Sequence, residues 1–389
     1  MMMNKKRLNK KKLGLYIHIP FCVKKCNYCD FLSFSSSEAE QERYISALVE
    51  EIRRYDTCHY EVDTVFIGGG TPSVLKEAFA ETFFMALKEN FSIQKEAEIT
   101  IECNPGTVTR EKLERYRELG INRLSFGLQS ADNHELSLLG RIHTWEDFLL
   151  SYNMAREAGF QNINIDLMSG IPEQTVTSYE KTCEKVLALE PEHISAYSLI
   201  IEEGTPFYKR YKDYPPVDEE TDRLLYMKTK EILGSAGYER YEISNYAKPG
   251  YECIHNLKYW SRDEYLGLGL GASSLIGRCR LKNPSIMAEY LKKNEGLSRY
   301  SKDTDYYEEA LRLEKEDEMS EFMFLGLRMM KGVSKHKFHM LFGQKIKDVY
   351  PGVCKKLIRD GLLTECDEFY VLTERGIDIS NYVMSQFLL

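Results

Sequence analysis

Six short apolar stretches punctuate the first half of the chain: LGLYIHI (13–19), DTVFIGG (63–69), EITIEC (98–103), RLSFGL (123–128), NINIDLM (162–168) and HISAYSLI (193–200). Each is rich in β-branched or aromatic residues and reads as a strand. Between them lie segments of helical period, among them AEQERYISALVEEIRRY, REKLERYRELG and TSYEKTCEKVLALE. A strand-then-helix order repeated in this way implies parallel strands joined by right-handed crossovers. Six units stop short of the eight that close a full barrel. The sequence therefore predicts an α/β fold, a partial, open (β/α)6 barrel with its working face at the carboxyl ends of the strands.

After residue 300 the pattern changes. Helical segments around EFMFLGLRMM, SKHKFHMLFG and VCKKLIRDGLL precede FYVLTERGIDI, which reads as a small hairpin, so a compact α+β domain of winged-helix type is expected. Ten Lys and Arg against eight Asp and Glu from Met319 to Leu389 are too balanced for a DNA-reading face. The expected division is a basic, flexible tail at 1–12, the barrel and its following segment at 13–300, and the small domain at 301–389.

The strand ends carry FC at 21–22, GGGTPS at 68–73, ECNPGT at 102–107, GLQS at 127–130, DLMSGIP at 166–172 and SLIIEEGT at 198–205. Within FCVKKCNYCDF, Cys22, Cys26 and Cys29 have the spacing C-x3-C-x2-C, too close for ordinary disulfides. The composition is that of a soluble globular protein, at 43% hydrophobic and 29% charged residues, and the net charge of -8 argues against general nucleic-acid binding. No apolar run reaches the roughly 18 to 20 residues that span a bilayer. The start NKKRLNKKKLGLYIHIPFCV mimics a signal peptide, but His18 and Pro20 interrupt its apolar part. The reading is a cytoplasmic chain whose ten cysteines are reduced, so the triad is expected to hold metal. Zinc takes four protein ligands, or three that include histidine. A [4Fe-4S] cluster held by three thiolates keeps one iron open, able to chelate a small molecule through an amine and a carboxylate.

This triad at the end of a first barrel strand resembles the signature of the radical S-adenosylmethionine (SAM) superfamily. The resemblance implies a [4Fe-4S] cluster on Cys22, Cys26 and Cys29 and reductive cleavage of SAM to methionine and a 5′-deoxyadenosyl radical. The motifs LYIHIPFC, GGGTPS, ECNPGT, SFGLQS, GRIHT and NIDLMSGIP extend it to the coproporphyrinogen dehydrogenase (HemN-like) branch. By that resemblance Tyr16 lies beside the cluster and SAM, and Tyr28 presents its backbone to adenine. Gly69, Gly70 and Thr71 line the methionine end, with Glu102 on its amino group. Gln129 and Asp166 face the ribose hydroxyls or adenosine edge, and Arg141 pairs with the SAM carboxylate. Carboxylates suit ammonium and hydroxyl donors, and the arginine fork suits a carboxylate.

Two departures shift the functional expectation. The dehydrogenases place a further cysteine two positions after the third, where this chain has Phe31, and they carry a longer extension before the cluster than the 21 residues ahead of Cys22. The ending CNYCDF and the segment HNLKYW (255–260) instead resemble the HemW subfamily of haem chaperones, with its HNxxYW signature. That resemblance implies haem as a third ligand, His255 as a candidate axial ligand, and haem-accepting proteins as partners. The alternative is a radical SAM enzyme acting on a porphyrinogen. The glycine-rich YLGLGLGASS reads as a turn or close-packing segment, since it lacks the phosphate-loop lysine. Lys5 to Lys12 hold six basic residues in eight, either a solvated tail or a weak attraction to an anionic membrane surface. The sequence leaves a homodimer open.

Overall fold

A computed structural model describes residues 10–55, 57–295 and 306–389. All six expected strands form: β1 (Lys11–Ile19), β2 (Tyr60–Gly69), β3 (Ile93–Cys103), β4 (Arg123–Gln129), β5 (Ile163–Ser169) and β6 (His193–Ser198). They pair in sequence order and in parallel. Each strand alternates. In β1, Leu13, Leu15, Ile17 and Ile19 are buried in the main hydrophobic core, while Gly14, Tyr16 and His18 occupy the opposite face. The outward aliphatics pack under the crossover helices, and the inward residues are left to build a polar lumen. The helices start where the sequence supplies caps: Ser37, Thr109, Thr144 and Thr175 each accept a backbone N–H of the first helical turn.

The sheet continues beyond these six strands. After β7 (Glu239–Arg240) and β8 (Asn245–Ala247), which extend the β6 edge antiparallel, the chain returns to the other edge. There β9 (Tyr265–Leu268) lies parallel to β1. Strands β10 (Ser273–Ile276), β11 (Cys279–Lys282) and β12 (Glu309–Arg312) follow antiparallel. The order is β12-β11-β10-β9-β1-β2-β3-β4-β5-β6-β8-β7, an open barrel extended at both edges. The glycine-rich stretch read as a turn or close-packing segment is a close-packing segment that is partly a strand. Its Gly267 is required because a Cβ there would lie 2.2 Å from the carbonyl oxygen of Ser273.

A second sheet, β13 (Val333–Ser334), β14 (Leu363–Glu365) and β15 (Phe369–Leu372), is antiparallel and packs with helices Lys315–Gly326, Lys335–Phe342 and Pro351–Arg359 around a separate core. Two expected boundaries move. Lys11 and Lys12 belong to β1 rather than to a tail, because Lys11 N donates to His59 O and both residues pair with β2. Residues 1–9 of that tail lie outside the described residues. The division at 300/301 falls within 296–305, also outside them, and β12 still belongs to the large sheet. Among the described residues, no helix is long and apolar enough to cross a membrane.

Candidate functional site

The segment after β1 is anchored along its length, which fixes where its cysteines stand. Cys22 N donates to Phe34 O and Phe34 N to Pro20 O, while Thr71 N donates to Phe21 O. Asn27 donates from its backbone N to Leu139 O and from Nδ2 to Leu138 O. Cys22, Cys26 and Cys29 are all half-buried and free. They share a cavity of about 120 Å³ with Tyr28, Gly69, Gly70 and Thr71. Glu102, Gln129 and Asp166 from β3, β4 and β5, with Arg141 from the turn after the short helix Asn133–Leu138, complete its wall. One cavity thus gathers every residue expected around the cluster and SAM except Tyr16.

Tyr16 lines an adjoining cavity of about 420 Å³ with His18, Tyr259 and Tyr265, and the two cavities have Phe31, Gly69 and Glu102 in common. Its hydroxyl meets His18 Nδ1 at 3.0 Å, and His18 Nε2 lies 2.8 Å from Leu32 O. Sequence reasoning noted His18 only as an interruption of the apolar start, not as a site residue. Nor did it single out Asn104, whose Nδ2 donates to Thr71 Oγ1 at 2.7 Å and whose Oδ1 accepts from Arg141 Nη2 at 2.8 Å. Both were signalled only by their place in the strand-end motifs LYIHIPFC and ECNPGT.

The glycines are demanded first by the chain itself. A Cβ on Gly69, which has φ +112°, would lie 2.6 Å from the His18 ring, and one on Gly70 would lie 2.7 Å from Phe21 O. This close approach presses β2's end against the cysteine segment. Gly69 N then donates to Glu102 Oε2 at 3.1 Å. Gln129 also takes a positive φ, 76°, where the register of β4 against β5 shifts. The guanidinium of Arg141 donates from Nη1 to Cys26 Sγ at 3.5 Å and from Nη2 to Gly127 O, with its Nε buried and without a partner.

Electrostatically, the pocket disfavours negative charge until something positive enters. Burial, reinforced by the neighbouring Asp166, pushes the Glu102 carboxyl up to about 8. Burial also raises Asp166, against a 2.7 Å hydrogen bond from Asn164 Nδ2 that lowers it. Burial raises the Cys29 thiol as well. Two carboxyls held high at one site are a socket for a cationic or multiply donating ligand. Among the described residues, no His, Cys, Asp or Glu group gathers about a single metal-ion position. The three thiols instead line one wall, which suits a multi-iron cluster whose thiolates each serve a different iron. A cluster with one open iron, next to raised carboxyls, fits this donor set.

His255 lies elsewhere. It belongs to the helix Ile254–Trp260, which fills the lumen at the level of Gly14, Thr64 and Glu98, residues paired across β1, β2 and β3. Glu98 accepts from the N–H groups of Ile254 and His255, both at 3.0 Å, where a carboxylate suits a helix start. His255 is 1% exposed; its Nδ1 bonds Thr64 Oγ1 at 2.8 Å and its Nε2 bonds Tyr259 OH at 2.9 Å. Phe66 stacks on its ring, and burial lowers its pKa to about 3. Lys258 Nζ reaches Asp63 Oδ1 at 2.7 Å, both nearly buried. The expectation that His255 presents a nitrogen to a haem iron is therefore not met in this conformation: both ring nitrogens are engaged and the ring is sealed. The helix is a plug.

Known proteins identify the fold and the family. The radical SAM superfamily model matches residues 16–186, and the HemN C-terminal domain matches 313–379. The solved coproporphyrinogen III oxidase HemN of Escherichia coli, described as a radical SAM enzyme, shares the fold at TM-score 0.86 and 24% identity, covering 98% of this chain and 91% of that one. Fold and site thus define a radical SAM protein. Over 382 residues the chain is 36% identical to the "Heme chaperone HemW" of Bacillus subtilis (strain 168), covering 96% of this chain and 98% of that protein. The protein of that name from Escherichia coli (strain K12) is 34% identical over 390 residues, covering 97% and 98%. The chain belongs to the HemW family.

Proposed function

We propose that this chain is a haem chaperone that retains a radical SAM site. Its cofactors would be a [4Fe-4S] cluster on Cys22, Cys26 and Cys29 and SAM at the strand ends, and its cargo haem, handed to haem-requiring proteins. The observation that carries the reading is full-length similarity to proteins named as haem chaperones, joined to a strand-end cavity that keeps every cluster cysteine. Bound there, the cluster supplies one electron for cleaving a carbon–sulfur bond. The protein's own residues do the rest. Glu102 and Asp166 would receive the amino group and the adenosine hydroxyls, and their raised pKa values would fall once positive charge arrives. Gly69, Gly70 and Thr71 would leave room for the methionine end, Tyr28 and Gln129 would border adenosine, and Arg141 would receive the carboxylate while steadying Cys26. Tyr16, hydrogen-bonded to His18, would flank the site from the adjoining cavity. Delivery to recipients at a membrane surface rests on Lys5, Lys6, Arg7 and Lys10 of the basic run from Lys5 to Lys12, since Lys11 and Lys12 belong to β1 and pair with Glu264 and Asp63.

A second reading, a radical SAM enzyme acting on a porphyrinogen, is favoured by that adjoining cavity, which gives a substrate space beside Glu102. Phe31 stands against it: it occupies the position of the dehydrogenases' extra cysteine, is 63% exposed and borders both cavities. The experiment is to add haem and coproporphyrinogen III separately to the cluster-reconstituted protein with SAM and a reductant. Binding of about one haem per chain with no protoporphyrinogen formed is expected. Turnover of coproporphyrinogen III would overturn the chaperone reading.

A further inference from the structure

The plug helix has two faces. Its inner face carries His255, Lys258 and Tyr259 into the lumen. Leu257, Trp260 and the following Ser261 form one wall of a cavity of about 440 Å³, whose other wall is the C-terminal domain. That volume lies in the range of roughly 300 to 1,000 Å³ typical of small-molecule and cofactor sites. The opposite wall is apolar and partly aromatic, built from Phe322, Val333 and Phe369 with two adjacent methionines, Met329 and Met330.

The methionines are presented by a rigid turn. Met330 N donates to Tyr241 O at 2.9 Å and Gly332 N to Met329 O at 2.9 Å. Gly332 has φ +75°, and a Cβ there would lie 2.1 Å from Tyr370 O, so the turn cannot drift outward. Trp260 is equally fixed, with the Arg328 guanidinium 4.3 Å from its ring centroid and its Nε1 buried without a partner. The Met329 sulfur takes a 4.0 Å contact from Ser261 Oγ, whereas Met330 makes no sulfur hydrogen bond among the described residues. Lys331, exposed, and Lys337 stand on the same lining, which also includes one carboxylate, Glu252. Lys337 Nζ already reaches Ser261 O at 3.1 Å and Asp263 Oδ1 at 3.2 Å, whereas Lys331 Nζ lies 5.2 Å from the Phe369 ring centroid and makes no ion pair among the described residues.

We propose that this cavity between the plug helix and the C-terminal domain is the haem site, with Met330 as an iron ligand and Lys331 facing a haem carboxylate. The assignment rests on the haem-chaperone reading and gives it a place. A flat apolar ring needs apolar and aromatic walls, a thioether is an established haem-iron ligand, and ammonium groups at the edge suit the ring's two carboxylates. HNLKYW then serves haem through its outer face, Leu257 and Trp260, without an iron bond from His255.

The test is a spectroscopic titration of the full chain with haem and, separately, with metal-free protoporphyrin. Met330→Ala should weaken haem about tenfold or more and change its absorption spectrum, and Met330→His should restore binding with the spectrum of a nitrogen-ligated iron. Metal-free protoporphyrin should bind wild type and Met330→Ala alike, since it has no iron to ligate. Lys331→Glu should weaken both pigments. If wild type binds haem and all three variants keep its affinity and spectrum, the site lies elsewhere and the chaperone reading survives. If wild type binds no haem, that reading falls and this site with it.

Discussion

The two ends of the barrel lumen are made by the same strands, and they treat polar side chains in opposite ways. At the level of Gly14, Thr64 and Glu98, side chains of the sheet tie the plug in place: Glu98 caps the helix, Thr64 holds His255 and Asp63 is ion-paired with Lys258. At the strand ends, Glu102 takes a single backbone N–H and is held neutral up to about 8, and Arg141 keeps a buried Nε without a partner. A buried polar group that is fully satisfied is architecture, whereas one left short of partners is waiting for a ligand. The comparison explains why two signature motifs on one chain have different physical standing. The cysteine segment faces an open, under-satisfied cavity. HNLKYW closes the other end.

Substitutions at three places would break or sharpen that contrast. The largest effect is expected at the open end, where Cys22→Ala, Cys26→Ala and Cys29→Ala together should abolish iron and sulfide binding and the broad absorption near roughly 400 nm typical of such clusters. The melting temperature of the cluster-free protein should hardly move, because these half-buried thiols carry little of the core. A triple variant that still held four irons would end the cluster assignment. At the closed end, Lys258→Met should cost about 3 kcal/mol in denaturant unfolding, the low end for breaking a buried pair, because Asp63 loses its 2.7 Å partner and keeps only the exposed Lys12 at 3.6 Å, and Asp63→Asn in the same chain should recover much of the loss. A cost below about 1 kcal/mol would show that the plug does not support the lumen.

The smallest effect separates binding from stability at one residue. Glu102→Gln should weaken SAM by roughly 1.5 to 3 kcal/mol, about tenfold or more, with iron content unchanged. It should also stabilise the ligand-free protein. The Glu102 pKa is raised in the fold from 4.5 to about 8, so its contribution to stability is complete below about pH 4.5 and is lost as pH rises through about 8. The advantage of Glu102→Gln should therefore grow across that window in melting curves. A variant that bound SAM normally and melted like wild type at every pH would remove Glu102 from the site.

Much of this was legible in the sequence where the signal was local. The six parallel strands were marked by aliphatic and aromatic runs, and the cysteine spacing together with GGGTPS and ECNPGT located one wall of the cavity residue by residue. What escaped was set by distant partners. The strand Tyr265–Leu268 hides in YLGLGLGASS because its glycines, which let Ser273 and the end of β1 approach, signal close packing but not the pairing with β1 that makes a strand. His255 reads as a ligand because an imidazole beside aromatics is the same pattern whether it meets iron or Thr64 and Tyr259. Asn104 passed unnoticed because its role is to tie Thr71 to Arg141, residues on two other elements.

The placement of β9 against β1 has a consequence in time. β1 can pair with β2 as soon as residue 69 is available, but its second neighbour begins at Tyr265, so that edge is completed by a contact spanning some 250 residues of chain. At about 5 to 20 residues per second, a ribosome needs roughly 10 to 40 s to cover the distance between those two points. Through that interval the strand that carries the cysteine segment is zipped on one side only, and the plug helix, which precedes β9, has yet to enter the lumen. The nascent chain thus presents its three thiols on a half-built sheet well before the barrel beneath them is sealed.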